Sequence, residues 1–323
     1  MTSKTGKRDK VVFILGPTGA GKSDFAVRLA ECVDGEVISC DSMQVYKGME
    51  VISRQPDDSL SARVPHHLVG FLNPGREWNA ALFVRRAGRK IRDIIKKRRV
   101  PLVVGGTGMY ARSFIKGLSP SPPRDERYRG YLRASARRRG TSRLYERLER
   151  IDPSYAAKIH PNDLKRIIRA LEVYKISGST LSSQHALTKG LESGYIIESF
   201  IIIRSREELY ERINRRVEDI FSEGAIEEVK RLRKRLLSST ARSVLGYKEI
   251  GSYLDGEISA KEAMELLARN TRRYAKRQMT WFRKEEGERI DLSSLSARKA
   301  ISICKKKILG RQEHRSAGTQ VIR

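Results

Sequence analysis

Cysteine is nearly absent. Cys32, Cys40 and Cys304 are the only three in 323 residues, too few and too scattered for a disulfide framework or a thiolate metal site. Long apolar runs are missing as well. The longest, Val11–Leu15 and Ile201–Ile203 with their neighbours, are strand-sized and far short of the roughly 20 residues that span a bilayer. Met1 to Lys10 is basic but lacks the apolar stretch of a secretory signal. These absences argue against a membrane-spanning or disulfide-built protein and predict a cytoplasmic one with reduced thiols. Acidic residues are scarce too, 38 against 66 lysines and arginines, for a formal charge of +28. Such a surplus favours a polyanionic partner, nucleic acid or an anionic membrane.

What is present points to an α/β core. The length suits about two domains. Val11–Leu15, Glu36–Cys40 and Val100–Val104 read as buried strands, with helical patterns over Asp24–Cys32 and Ala80–Arg98. Strand and helix alternate, which predicts a parallel sheet. The pattern breaks at the proline-rich Leu118–Pro123. From there to about Gly194 only helices are expected, one of them capped by Asn162 and ending at Gly178, with Leu164, Ile167, Ile168, Leu171 and Tyr174 on one face. Strand character returns at Tyr195–Ile203, and Ser205 with Glu208 forms a capping-box signature. The expected organisation is therefore a P-loop parallel-sheet core at 1–119 and 195–300, an all-helical insert at 120–194, and a loosely packed basic tail at 301–323.

Gly16-Pro-Thr-Gly-Ala-Gly-Lys-Ser23 fits the G-x-x-x-x-G-K-[ST] phosphate turn and sits between a strand and a helix. Gly16, Pro17, Thr18, Gly19, Ala20 and Gly21 would wrap backbone N–H groups around a phosphate, Lys22 would add a full charge, and Ser23 could hold Mg²⁺. Asp41 directly follows the second strand, so it should lie at the ligand-binding edge beside this turn, with Thr107 arriving from the Gly105–Gly108 turn.

Basic residues cluster in two places. Over Lys261–Lys284, seven lysines and arginines share one helical sector while Leu267, Tyr274 and Trp281 line the other. Arg124–Arg139 interleaves arginines with Tyr128 and Tyr131, a mixture suited to phosphates and splayed bases. His66 and His67, being adjacent, are expected to be structural rather than metal ligands.

In order along the chain, the phosphate turn, Asp41-Ser-Met-Gln-Val-Tyr-Lys-Gly-Met49, Val64-Pro-His-His67, Val104-Gly-Gly-Thr-Gly-Met-Tyr110, Arg166-Ile-Ile-Arg-Ala-Leu-Glu-Val-Tyr174, Val244-Leu-Gly-Tyr-Lys-Glu249 and Arg269–Phe282 resemble the tRNA dimethylallyltransferase family. The resemblance runs from about Val11 to Arg283. It implies transfer of a dimethylallyl group from its diphosphate to the N6 amine of the adenosine 3′-adjacent to the anticodon, with Mg²⁺, by a monomeric cytoplasmic enzyme. It also implies that Gly16–Ser23 bind the prenyl diphosphate, that Asp41 is the general base, and that Thr107 and Arg242 contact the reacting groups. Asp41, Ser42, Met43, Gln44 and Thr107 would touch tRNA, as would Arg129, Lys165, Arg166, Ile167, Ile168 and Arg169. Glu50-Val-Ile-Ser-Arg-Gln-Pro56 departs from the family pattern, with Ser53 at the usual glycine.

These groups suit the reaction. The adenine N6 lone pair is delocalised, so a carboxylate within about 3 Å must take the proton as the bond forms. Cationic groups and a metal can stabilise the departing diphosphate. The alternatives are an adenylate isopentenyltransferase, a P-loop kinase or nucleic-acid ATPase, and a non-enzymatic RNA-binding protein. The insert and the charge speak against the first, missing hydrolytic groups against the second, and Asp41 beside the phosphate turn against the third.

Overall fold

The computed structural model describes residues 8–118, 122–186 and 190–313. Contacts divide the chain into two compact units, residues 1–115 with 191–323, and residues 116–190.

The first unit is built on a six-stranded parallel sheet of order β3-β2-β4-β1-β5-β6. Its strands are β1 (Lys10–Leu15), β2 (Gly35–Ser39), β3 (His66–His67), β4 (Val100–Gly105), β5 (Ile196–Ile203) and β6 (Glu288–Asp291). Side chains alternate between two covered faces, which is why the central strands β1 and β4 read as near-continuous apolar runs. Val11, Phe13, Leu15, Ile38, Val103 and Ile201 pack into one core. Val12, Ile14, Val37, Leu102, Val104, Phe200 and Ile202 pack into the other.

The helices of this unit are α1 (Lys22–Val33), α2 (Glu50–Ser53), α3 (Asp58–Arg63), α4 (Ala80–Lys96) and α5 (Gly108–Ile115), then, after the insert, α11 (Arg206–Ser222), α12 (Ala225–Leu232), α13 (Tyr247–Leu254), α14 (Ala260–Phe282) and α15 (Ala297–Glu313). The second unit holds α6 (Glu126–Arg139), α7 (Thr141–Ile151), α8 (Pro153–Ala156), α9 (Leu164–Ser177) and α10 (Leu181–Ala186) around Leu132, Leu148, Ile167 and Leu171.

Several local expectations need correction. Asp163 caps α9 in place of Asn162, its side chain accepting from Arg166 N–H, and Tyr174 is exposed. Ser205 caps α11, but Glu208 turns away from the reciprocal bond to pair with Arg204 and Ser293. Residues 301–313 are not a loose tail. They continue α15, whose Ala300, Cys304 and Ile308 are buried in the same core as α1. Residues 314–323 of the expected tail lie outside the described residues. On α14 the buried line runs through Ala263, Leu267, Thr271, Ala275, Gln278 and Phe282, leaving Tyr274 and Trp281 half-buried.

His66 and His67 belong to no metal-ligand cluster among the described residues, and His66 also lines a cavity at the sheet edge. His67 Nε2 lies 2.7 Å from Glu36 Oε2, and His66 Nδ1 is 2.8 Å from Val64 O. The atypical Glu50–Pro56 segment is anchored by Glu228, a buried carboxylate that accepts from Val51 and Ile52 N–H at 2.9 Å each. Arg54 ends α2 in the left-handed region at φ +54° and reaches Asp219 and Glu223 on α11.

Candidate active site

β1, β2, β4 and β5 end together at one edge, with Leu15 in register with both Gly105 and Ile201. Ligands bind at this edge in open α/β sheets. The phosphate turn leaves β1 and feeds the N-terminus of α1. At Gly16 an added Cβ would lie 2.4 Å from Ile202 O, so only glycine lets the turn pass this close to β5. Lys22 Nζ donates to Pro17 O at 2.7 Å. Burial pushes the Lys22 ammonium down to about 8, although the nearby Asp41 carboxylate pulls the other way.

Asp41 begins the loop after β2, and its Oδ1 accepts from Met43 N–H at 2.8 Å. Thr107 ties the neighbouring turn to this loop: its N–H donates to Cys40 O, and its Oγ1 accepts from Ser42 N–H at 3.1 Å. Gln44 is held by a 2.7 Å bond from Nε2 to Arg54 O. Lys22, Ser23, Asp41 and Gln44 line one cavity of about 390 Å³ together with Thr18 and Gly106. Asp41 and the phosphate turn thus share one chamber.

The cations of this chamber were not evident from the sequence. Arg54, Arg212, Arg215 and Arg216 line it, and three of them come from α11. Arg212 Nε donates to Gly19 O at 2.8 Å, and Arg216 Nη1 lies 3.3 Å from Thr18 Oγ1. Burial, and then the neighbouring Arg54, push Arg216 down to about 10. Arg242 is elsewhere, exposed on the short turn Ala241–Ser243 and not among the chamber's lining residues. The signal for the α11 arginines was their i, i+4 spacing on a helix that starts just past a strand's carboxyl end.

Comparison with known proteins decides the family. The IPP transferase family model matches residues 44–285, and the isopentenyl transferase model matches residues 9–63. A tRNA dimethylallyltransferase of Geobacter sulfurreducens is 45% identical over 287 residues, covering 88% of this chain and 92% of the relative. The chain belongs to the IPP transferase family. A second relative, the tRNA dimethylallyltransferase of Carboxydothermus hydrogenoformans, is 43% identical and covers 86% of this chain and 90% of itself. Among solved structures, the full-length tRNA isopentenylpyrophosphate transferase of Bacillus halodurans matches with a TM-score of 0.69 and 38% identity, over 95% of this chain and 98% of its own. A eukaryotic dimethylallyltransferase acting on tRNA matches with a TM-score of 0.79 and 27% identity, over 94% and 80% of the two chains.

In this IPP transferase the helix α14 contributes a residue that motif reading passed over. Gln278 is buried, its Oε1 accepts from Thr18 N–H at 2.8 Å, and its Nε2 donates to Gly106 O at 2.8 Å. It bridges the phosphate turn to the turn that carries Thr107. An added Cβ at Gly106 would lie 2.3 Å from Gln278 Nε2, so the glycine is what admits the bridge.

The expected tRNA contacts of the insert divide into two groups. Lys165 and Arg166 are exposed on α9. Ile167 and Ile168 are instead core residues, 0% and 4% exposed, because they fall on the face of α9 turned toward α6 and α7. Arg129 makes a two-pronged bond to the buried Glu172, at 2.7 and 2.8 Å, and Arg169 Nη1 joins it at 2.6 Å. Both half-buried arginines are thereby committed to the buried Glu172.

Proposed function

We propose that the chain transfers the dimethylallyl group of dimethylallyl diphosphate to N6 of the adenosine 3′-adjacent to the anticodon of tRNA, releasing diphosphate. The observation that carries this is one chamber lined by both the phosphate turn with its arginines and Asp41, whose loop is tied to Thr107 through Cys40 and Ser42. Asp41 would take the N6 proton while Lys22, Arg212 and Arg216 hold the diphosphate as its charge grows. The target base has to leave its stack to reach that carboxylate. Residues 116–190, with seventeen lysines and arginines against seven acidic groups, support an RNA acceptor. We take the enzyme to act as a monomer in the cytoplasm; no helix among the described residues is long and apolar enough to cross a membrane.

The chamber's donors fit Mg²⁺. Among the described residues no three His, Cys, Asp or Glu side chains form a metal cage. Ser23 lines the chamber at the start of α1, and Mg²⁺ is commonly held by few protein groups plus substrate phosphates. When bound, the ion would stabilise charge on the leaving diphosphate.

Labelled dimethylallyl diphosphate offered with total tRNA or with AMP tests the acceptor. Label is expected in tRNA and hardly at all in AMP. Transfer to AMP at an equal or higher rate would overturn the tRNA assignment in favour of a free-nucleotide acceptor.

Lys22 sets a pH limit. Its ammonium is present below about 8 and lost above, so kcat/KM for the donor is expected to fall about tenfold per pH unit there. At saturating donor the bound diphosphate keeps the proton on Lys22, so kcat should fall only at higher pH. A Lys22→Arg enzyme should lose the inflection near 8, and its persistence would assign it to another group.

Arg166 should act on RNA affinity alone. Its side chain is 57% exposed, and its one ion pair, to Asp163, spans 3.3 Å. Arg166→Ala is expected to reduce the salt-dependence slope of tRNA binding by about 1 without changing donor binding. An unaltered slope would leave Arg166 as surface decoration.

A further inference from the structure

On α6 the side chains of Leu132 and Ala136 are buried. At about 100° per residue, Arg127, Tyr131, Ala134 and Arg138 share a narrow stripe on the opposite side of the helix. Tyr131 stands in the middle of that stripe and is 59% exposed, the most exposed aromatic ring among the described residues. Its ring lies near-parallel to that of Tyr128, with centroids 6.1 Å apart and an interplanar angle of 18°.

A large apolar ring turned away from its own core needs a reason. Packing on Tyr128 holds its orientation in advance, so little freedom would be lost when a flat partner arrives. Gly130 adds a second observation. It lies in the helix interior, where glycine is unfavourable, and an added Cβ would meet nothing within 4 Å. Packing therefore does not demand it. Ala134, three residues on and in the same stripe, adds little bulk beside the ring. Arg133 lies 3.6 Å from Glu126, whereas Arg127 and Arg138 form no ion pair among the described residues. A flat ring between two uncommitted guanidinium groups matches an unpaired nucleobase with its adjoining phosphates. An anionic lipid surface would meet the charge but offers no planar group to the ring.

We propose that Tyr131 is a stacking platform for an unpaired base of the RNA substrate, with Arg127 and Arg138 contacting the phosphates on either side. This rests on tRNA being the acceptor.

The test uses the full-length protein and anticodon stem–loop RNAs carrying 2-aminopurine at successive loop positions. With the wild type, fluorescence at one position should be quenched by stacking. Tyr131→Ala should relieve that quench and weaken binding roughly 5- to 100-fold, with the salt slope unchanged because no charge is lost. Tyr131→Phe should keep both quench and affinity, and Arg127→Ala should lower the slope by about 1. Unchanged quench and affinity in Tyr131→Ala, with wild-type prenyl transfer to tRNA intact, would overturn the platform and leave the tRNA assignment standing. No wild-type transfer to tRNA would overturn both. Loss of binding to phosphatidylserine vesicles by Tyr131→Ala, with RNA binding unaltered, would overturn it in favour of a membrane contact. Resistance of residues 116–190 to limited proteolysis in each variant serves as the folding control.

Discussion

Asp41→Asn should lower single-turnover prenyl transfer about 10²- to 10⁴-fold, or roughly 3 to 5 kcal/mol in the barrier. The structure makes this substitution unusually selective. Asp41 Oδ1 accepts from Met43 N–H, a bond that an amide carbonyl can keep, and Ser42 is held independently by Thr107. The loop should therefore stay in place while the basic oxygen is lost. Transfer RNA should still bind within about tenfold, since phosphate contacts supply most of the affinity. A metal-ligand role for Asp41 predicts something different: donor affinity would fall together with the rate, and raised Mg²⁺ would rescue both in part. A Mg²⁺ titration at saturating tRNA and donor separates the two. A rate that stays low throughout, with intact donor binding, supports the base; recovery to near wild type would reassign the carboxylate to the metal.

The second large effect is expected in the insert. Glu172→Gln should destabilise residues 116–190 by about 3 to 5 kcal/mol, the usual cost of breaking a buried ion pair from one side. Glu172 is fully buried and accepts from Arg129, Arg169 and Asp125 N–H. Burial alone would raise its pKa, but those hydrogen bonds outweigh it and hold the carboxyl at about 2. Because the folded value is depressed, the stabilisation is complete above the ordinary carboxylate range and is lost as pH falls from there toward 2. Urea unfolding combined with limited proteolysis should show the insert opening first in Glu172→Gln, with donor binding preserved. Arg129→Ala should behave the same way. If Arg129→Ala instead weakened tRNA binding without affecting insert stability, Arg129 would return to the RNA surface.

That contrast separates what could be read along the chain from what could not. The phosphate turn was legible because its chemistry depends on local backbone: closely spaced glycines, a lysine and a serine, with a strand before and a helix after. Asp41 was legible because a residue directly after a parallel strand has only one sheet edge to reach. The strands β1 and β4 announced themselves because two covered faces favour near-continuous apolar runs, and β2 and β5 by their β-branched pairs and triplets, whereas β3, two residues long, carried no such signal. The buried line of α14 was misread because a seven-residue spacing drifts about 20° per heptad, carrying Tyr274 and Trp281 from Leu267 to the edge of the buried arc through Thr271, Ala275 and Phe282.

By itself the sequence determined the class of fold, the phosphate turn, the placement of Asp41 at the ligand-binding edge and the charge surplus that favours a polyanionic partner, since each depends on local pattern or on composition. Only the tertiary structure decided which arginines serve which role. Arg212 and Arg216 face the phosphate turn, Arg242 lies on an exposed turn, and Arg129 is tied to Glu172 inside the insert. Arginine carries the same charge at all of these positions. Its task depends on the partner that folding brings within reach of its guanidinium, and those partners are 43 to 198 residues away in sequence. Gln278 is the same case without charge, because only the packing of α14 places its amide between Thr18 and Gly106.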